Sequence, residues 1–182
     1  MNVLVDALDN ETQQPSSSLV NRDMTKKVPM TVEGAQRLKT ELLRLKTVDR
    51  PAVISAIAEA RSHGDLAENA DYDAAKERQG FIEGRIGEVE RRLAHAQVIN
   101  PSEIDADGRI VFGATVELVD AGTGVHVTYQ IVGEDEADLK HGKISVGSPI
   151  SRALIGKGEG DMAEVHAPGG VREYEILAVR YA

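Results

Sequence analysis

Apolar residues at Ala35, Leu38, Leu42 and Leu45 recur at 3-4-3 spacing, the signature of one buried helix face. Thr31 stands before them as an N-cap and Glu33 lies at the positive end of the helix dipole, so a helix is expected to open at VPMT, residues 28–31, and to run to about Val48. Pro51 falls inside the same pattern, where it removes an amide donor. A kink or restart is therefore expected before Val53, Ile57 and Ala60 continue the stripe, which runs out near residues 62–64.

A second helix carries the cleanest signal in the chain. Tyr72, Ala75, Gln79, Ile82, Ile86, Val89, Leu93 and Ala96 alternate steps of three and four, a heptad seam with Gln79 as its polar member. Two seams of similar length joined by a short polar turn bury their stripes by folding back on each other, which predicts an antiparallel coiled-coil hairpin. Roughly 28 residues from the turn to Val98, at about 1.5 Å each, make an arm on the order of 40 Å long with a remote tip. Both seams are satisfied within one chain, so a monomer is expected.

Beyond Pro101 the period drops toward two, with Gly and Asp punctuation. Strands are predicted at residues 109–112, 114–119, 125–132, 162–166 and 171–181, with hairpin turns at 120–124 and 168–170. Residues 148–156 offer Ser148 as N-cap, Pro149 at the first helical position and Gly156 at the end, one short helix. The expected fold is α+β in two domains, an antiparallel coiled-coil hairpin at residues 26–100 and a twisted antiparallel β-sheet with one short helix at 101–182. Residues 1–25 read as a disordered extension, because NETQQPSSS has no period that could bury a face.

Composition narrows the chemistry. The 182 residues include no Cys and no Trp, and aromatics make up 3%. Thiol nucleophiles, disulfides and thiolate zinc sites are thereby excluded. No apolar run approaches the roughly 20 residues needed to span a bilayer, and MNVLVDALDN lacks a basic n-region, so a cytoplasmic protein that does not enter the membrane is expected. The net charge of −9 is concentrated at the two ends: residues 100–182 hold 14 acids against 7 bases, whereas residues 24–99 are nearly neutral. Autonomous binding to duplex nucleic acid is not expected of such a chain.

The turn between the helices reads RSHGDLAENADYD, residues 61–73. Asp65 and Glu68 match a capping box for the second helix, which accounts for both acids structurally. The same pair, on one face at the end of a stiff arm, is also a set of hard oxygen donors for Mg²⁺. Two carboxylates are too few to hold that ion alone, so such a tip would complete a partner's metal site and help to activate an attacking water. Arg61 and Lys76 flank the tip, where they could meet a phosphate backbone or be no more than solvated helix charges. No Gly-rich phosphate loop, G-x-S-x-G elbow or H-E-x-x-H helix occurs.

The motif EARSHGDLAENADY, residues 59–72, closely resembles the tip of the bacterial GreA/GreB transcript cleavage factors. VPMT at 28–31, QGFIEGRI at 79–86, FGATV at 112–116, SPI at 148–150, LIG at 154–156 and PGG at 168–170 resemble the family in the same order, over about residues 26–182. The small number of clustered bases on the arm is more similar to the GreA branch.

The resemblance implies a cytoplasmic, non-enzymatic partner of RNA polymerase. Its coiled coil would enter the polymerase's secondary channel and its FKBP-like C-terminal domain would dock at the channel rim. The tip would then stimulate cleavage of the backtracked nascent RNA 3′ end by the polymerase's own active site and its Mg²⁺, with no cofactor belonging to the factor itself. By position in the motif, Asp65 and Glu68 are the tip carboxylates. Arg61, Asn69, Tyr72 and Lys76 match positions that meet RNA or polymerase, and Ser148 and Pro149 match the rim-docking loop. A channel-blocking inhibitor of the same fold is the alternative. The scarcity of aromatics argues against a prolyl isomerase pocket.

Overall fold

A computed structural model describes residues 27–62 and 70–181. Strand β1, Val28–Thr31, leads into helix α1, Val32–Arg44. The Thr31 hydroxyl accepts the Gly34 amide, as its place in the sequence predicts. VPMT is nonetheless a strand and not the opening of the helix. It pairs in parallel with β2, Ala96–Ile99, and the second helix gives way to that strand before Val98.

The interruption predicted at Pro51 takes a specific form. A π-helical turn, Leu45–Asp49, joins α1 to α2, Arg50–Ser62, without breaking the helical rod. Continuing the 3-4 rhythm from Leu45 would put Asp49, Ala52 and Ala56 on the seam, whereas the residues actually buried are Val53, Ile57 and Ala60. A π-turn holds one extra residue, so it rotates the downstream stripe back by one position and tolerates the missing N–H of Pro51.

Helix α3, Ala70–His95, runs back along this rod over 26 residues, about 39 Å. Ala75, Ile82, Ile86 and Val89 are buried as the heptad predicts. They fall in two clusters: Val53, Ile57, Ala75, Ile82 and Ile86 along the arm, and Met30, Ala35, Leu38 and Val89 at its base. Ion pairs cross the seam's flanks, bidentate from Arg85 to Glu41 at 2.6 and 2.9 Å and from Arg50 to Glu83.

The second unit is a five-stranded sheet in the order β5-β4-β3-β7-β6. Its strands are β3 Thr115–Asp120, β4 His126–Val132, β5 Lys143–Ser145, β6 Met162–Ala167 and β7 Gly170–Arg180. Two expectations are corrected here. Residues 109–112 form no strand; Ile110 is instead tied by backbone hydrogen bonds to Gly156 and Lys157. The sheet is also not wholly antiparallel, because β5, absent from the sequence reading, pairs with β4 in parallel. Three residues that follow two short 3₁₀ turns are too few to show a period.

Burial alternates along β3, with Val116 and Leu118 facing a core that includes Ile110, Ile131, Ile176 and Leu154. Leu154 belongs to α4, Pro149–Leu154, capped by Ser148 as predicted. In the β3–β4 turn the Asp120 carboxylate accepts the amides of Gly122 and Thr123, which holds its pKa below the ordinary carboxylate value.

Candidate functional site at the end of the arm

Asp65, Glu68 and Asn69 lie outside the described residues, between the end of α2 at Ser62 and the start of α3 at Ala70. What is described is the pair of helix ends that frames them. Arg61, in the last turn of α2, sets its guanidinium 5.6 Å from the centroid of the Tyr72 ring and donates to the Tyr72 hydroxyl over a long 3.5 Å. That hydrogen bond, with the charges of Arg61 and Lys76, holds the phenol below its ordinary pKa.

Lys76 lies one turn further along α3, where its Nζ donates to Gln79 Oε1 at 2.8 Å. Arg61 and Lys76 line one shallow groove across the two helices, together with Ile54, Ile57 and Gln79. The helices thus bring Arg61, Tyr72 and Lys76 to one end of the arm. Both cations remain exposed there, able to meet an anion.

Ser148 and Pro149 are on the other unit. Ser148 Oγ accepts the Ser151 amide at 3.2 Å and donates to Ser151 Oγ at 2.9 Å, while Pro149 is exposed at the first position of α4. Among the described residues, no group of three His, Cys, Asp or Glu side chains could hold a metal ion. None of the described helices is long and apolar enough to cross a membrane.

Comparison with known sequences gives these positions a family. The family of GreA/GreB N-terminal domains, described as "Transcription elongation factor, N-terminal", matches residues 28–98, and its C-terminal counterpart matches residues 105–181. The chain belongs to the GreA/GreB family of transcription elongation factors. It is 72% identical over 155 residues to the transcription elongation factor GreA of Neisseria meningitidis serogroup A, covering 85% of this chain and 98% of that one. It is 70% identical over 154 residues to GreA of Ralstonia nicotianae, with the same coverage. Among solved structures, GreA factor homolog 1 of Thermus thermophilus is 29% identical and covers 85% of this chain and 99% of its own, with a TM-score of 0.38.

The sequence reading missed the joint between the GreA/GreB arm and the sheet. Glu136 closes a 3₁₀ turn, Glu134–Glu136, and its buried carboxylate reaches the start of α1. Oε2 accepts the amides of Thr31 at 2.9 Å and Gly133 at 3.2 Å, and Oε1 accepts the Thr31 hydroxyl. Around it, Arg92 pairs with Asp135 at 2.6 Å, Arg37 donates to the Asp135 carbonyl at 3.3 Å, and Lys143 Nζ meets Glu33 at 2.9 Å. The connection between the two units at residues 99–108 is therefore bridged by side chains from elsewhere. Glycine at position 34, where a helix would favour almost any other residue, was the signal that could have revealed this contact.

Proposed function

We propose that this chain is a transcript cleavage factor of RNA polymerase, acting in the cytoplasm as a monomer. The arm enters the polymerase's secondary channel, the sheet unit docks at the rim through Ser148 and Pro149, and the tip assists the polymerase's own active site. The observation that carries the reading is the acidic motif at residues 59–72, which runs from the last turn of α2 to the first turn of α3, two long helices packed on each other, in a chain of the GreA/GreB family.

Asp65 and Glu68 offer hard oxygen donors that suit Mg²⁺ but are too few to hold it, which fits an ion belonging mainly to the polymerase. When bound, that ion acidifies a water and neutralises phosphate charge. The tip carboxylates orient that water, and Arg61 and Lys76 hold the phosphates of the extruded RNA 3′ end. Tyr72 keeps Arg61 aimed, and Asn69 contributes a neutral polar contact beside the acids. The factor hydrolyses no RNA by itself.

The test compares wild type with Asp65→Asn and Glu68→Gln in 3′ RNA cleavage by a stalled polymerase complex with Mg²⁺, with melting temperature followed alongside. Asn caps a helix about as well as Asp, and Gln still serves in a capping box, so charge is removed while the helix start is spared. Loss of cleavage at unchanged melting is expected. Full cleavage by both variants would reduce the pair to a helix cap. Slower elongation by wild type without cleavage would identify an inhibitor, and RNA cleavage without polymerase would refute the non-enzymatic reading.

A further inference from the structure

An arm that must reach a distant site while its base docks elsewhere has to point in one direction. Aiming needs a rigid joint, and a chain crossing from β2 through Pro101 and on to Gly108 does not by itself supply one. The joint is built instead from side chains of the acidic turn Glu134–Glu136, between β4 and β5.

Glu136 is 3% exposed, and its three hydrogen bonds are split between the two units. Thr31, at the first residue before α1, gives two of them, and Gly133, at the end of β4, gives the third. Thr31 also caps α1 through its hydroxyl, so the carboxylate grips the residue that begins the arm. The fit leaves no slack. A Cβ on Gly34 would lie 2.3 Å from Glu136 Cδ, and one on Gly133 would lie 2.7 Å from the Pro29 carbonyl oxygen. The outer tethers, Arg92 to Asp135 and Lys143 to Glu33, are more exposed and surround this buried centre.

We infer that Glu136 is a positioning residue: a buried hydrogen-bonded latch that fixes the direction of the arm relative to the sheet, on which the proposed tip activity depends. The inference rests on that functional reading for its consequence but not for its geometry. The latch needs the shape and hydrogen-bonding pattern of the side chain more than its charge. In Glu136→Gln the amide oxygen can take the place of Oε2 and accept both amides, while the NH₂ donates to the Thr31 hydroxyl oxygen. Glu136→Ala removes all three contacts and leaves the Thr31 and Gly133 amides without their acceptor.

The chain has no cysteine, so Glu77→Cys on α3 and Val125→Cys in the β3–β4 turn give a clean pair of spin-label sites, both exposed. Double electron–electron resonance on the full chain is expected to give one narrow distance distribution for wild type and for Glu136→Gln, and a broadened or shifted one for Glu136→Ala. In polymerase cleavage assays, Glu136→Ala should raise the half-saturating factor concentration about fivefold if the arm is correctly aimed about one-fifth of the time, with the saturated rate retained. Tip variants should do the reverse. Glu136→Gln should restore the wild-type concentration dependence.

An unchanged distance distribution in Glu136→Ala would overturn the latch. A broadened distribution with unchanged half-saturation would overturn its role in positioning. If Glu136→Ala does not fold cooperatively, Thr31→Val, with Thr31→Ser as the hydroxyl-retaining control, carries the same comparison. If wild type stimulates no cleavage, the functional reading fails while the distance measurement still decides the latch.

Discussion

Replacing Gly34 with alanine should destabilise the protein, against the helix propensity scale. Gly34 is the third residue of α1, where alanine is favoured over glycine by at most about 1 kcal/mol. Its Cβ, however, would stand 2.3 Å from Glu136 Cδ and Oε1 and 2.7 Å from Cγ, so the carboxylate must move. That side chain is buried and held by two hydrogen bonds from Thr31. Hydrogen bonds to a charged group contribute about 1.5–3 kcal/mol each, so loss of one outweighs the propensity gain, and loss of both leaves a net cost of about 2–5 kcal/mol. With a urea slope of about 2 kcal/mol/M, the midpoint should fall by about 1 M or more. The chain has no Trp, so helical circular dichroism is the probe. Gly84→Ala, on α3 with nothing within 4 Å of the new Cβ, should instead raise the midpoint by up to about 0.5 M. In the Glu136→Ala background the three atoms nearest that Cβ are gone, and its penalty should shrink. A Gly34→Ala protein as stable as wild type, with effects additive to Glu136→Ala, would refute the reasoning.

Acid should weaken the ion pairs that flank the seam of the arm. Hydrogen bonds from Arg85 hold the carboxyls of Glu41 and Glu88 below their ordinary value of 4.5. Their folded pKa values thus lie below the unfolded ones, so this stabilisation is complete above about pH 5 and is lost as pH falls through the folded values. The urea-midpoint gap between wild type and Arg85→Met should therefore narrow from pH 7 to pH 3, and a gap independent of pH would contradict the assignment. At the other end of the chain, the Tyr181 hydroxyl donates to the Arg109 carbonyl and accepts the Val111 amide at 3.1 Å. Tyr181→Phe should cost about 1–3 kcal/mol in chemical denaturation and accelerate hydrogen exchange at Val111; protection equal to wild type would show that the contact is idle.

How much of this was written in the chain can be read position by position. The heptad from Tyr72 to Val89 and the stripe from Ala35 to Ile57 determined the hairpin, because each buried residue recurs at the helical period within one short window. Ser148-Pro149 at α4 and the Asp120 turn were equally local, since caps and tight turns satisfy backbone groups two or three residues away. The one-residue phase slip around Pro51 was present too, although only the folded rod shows that a π-turn absorbs it.

What the sequence did not disclose was non-local. β1 and β2 pair across 68 residues of chain, as Val28 does with Ala96, and neither four-residue strand carries a period of its own. β5 finds its place only because β4 offers it an edge. Glu136 reads as one of three consecutive surface acids, yet it is buried 105 residues away from Thr31 in a space kept open by Gly34 and Gly133. Local periodicity sets which faces are apolar and so which helices and strands form. Which polar group meets which across the joint depends on distances that exist only once both units have folded and met.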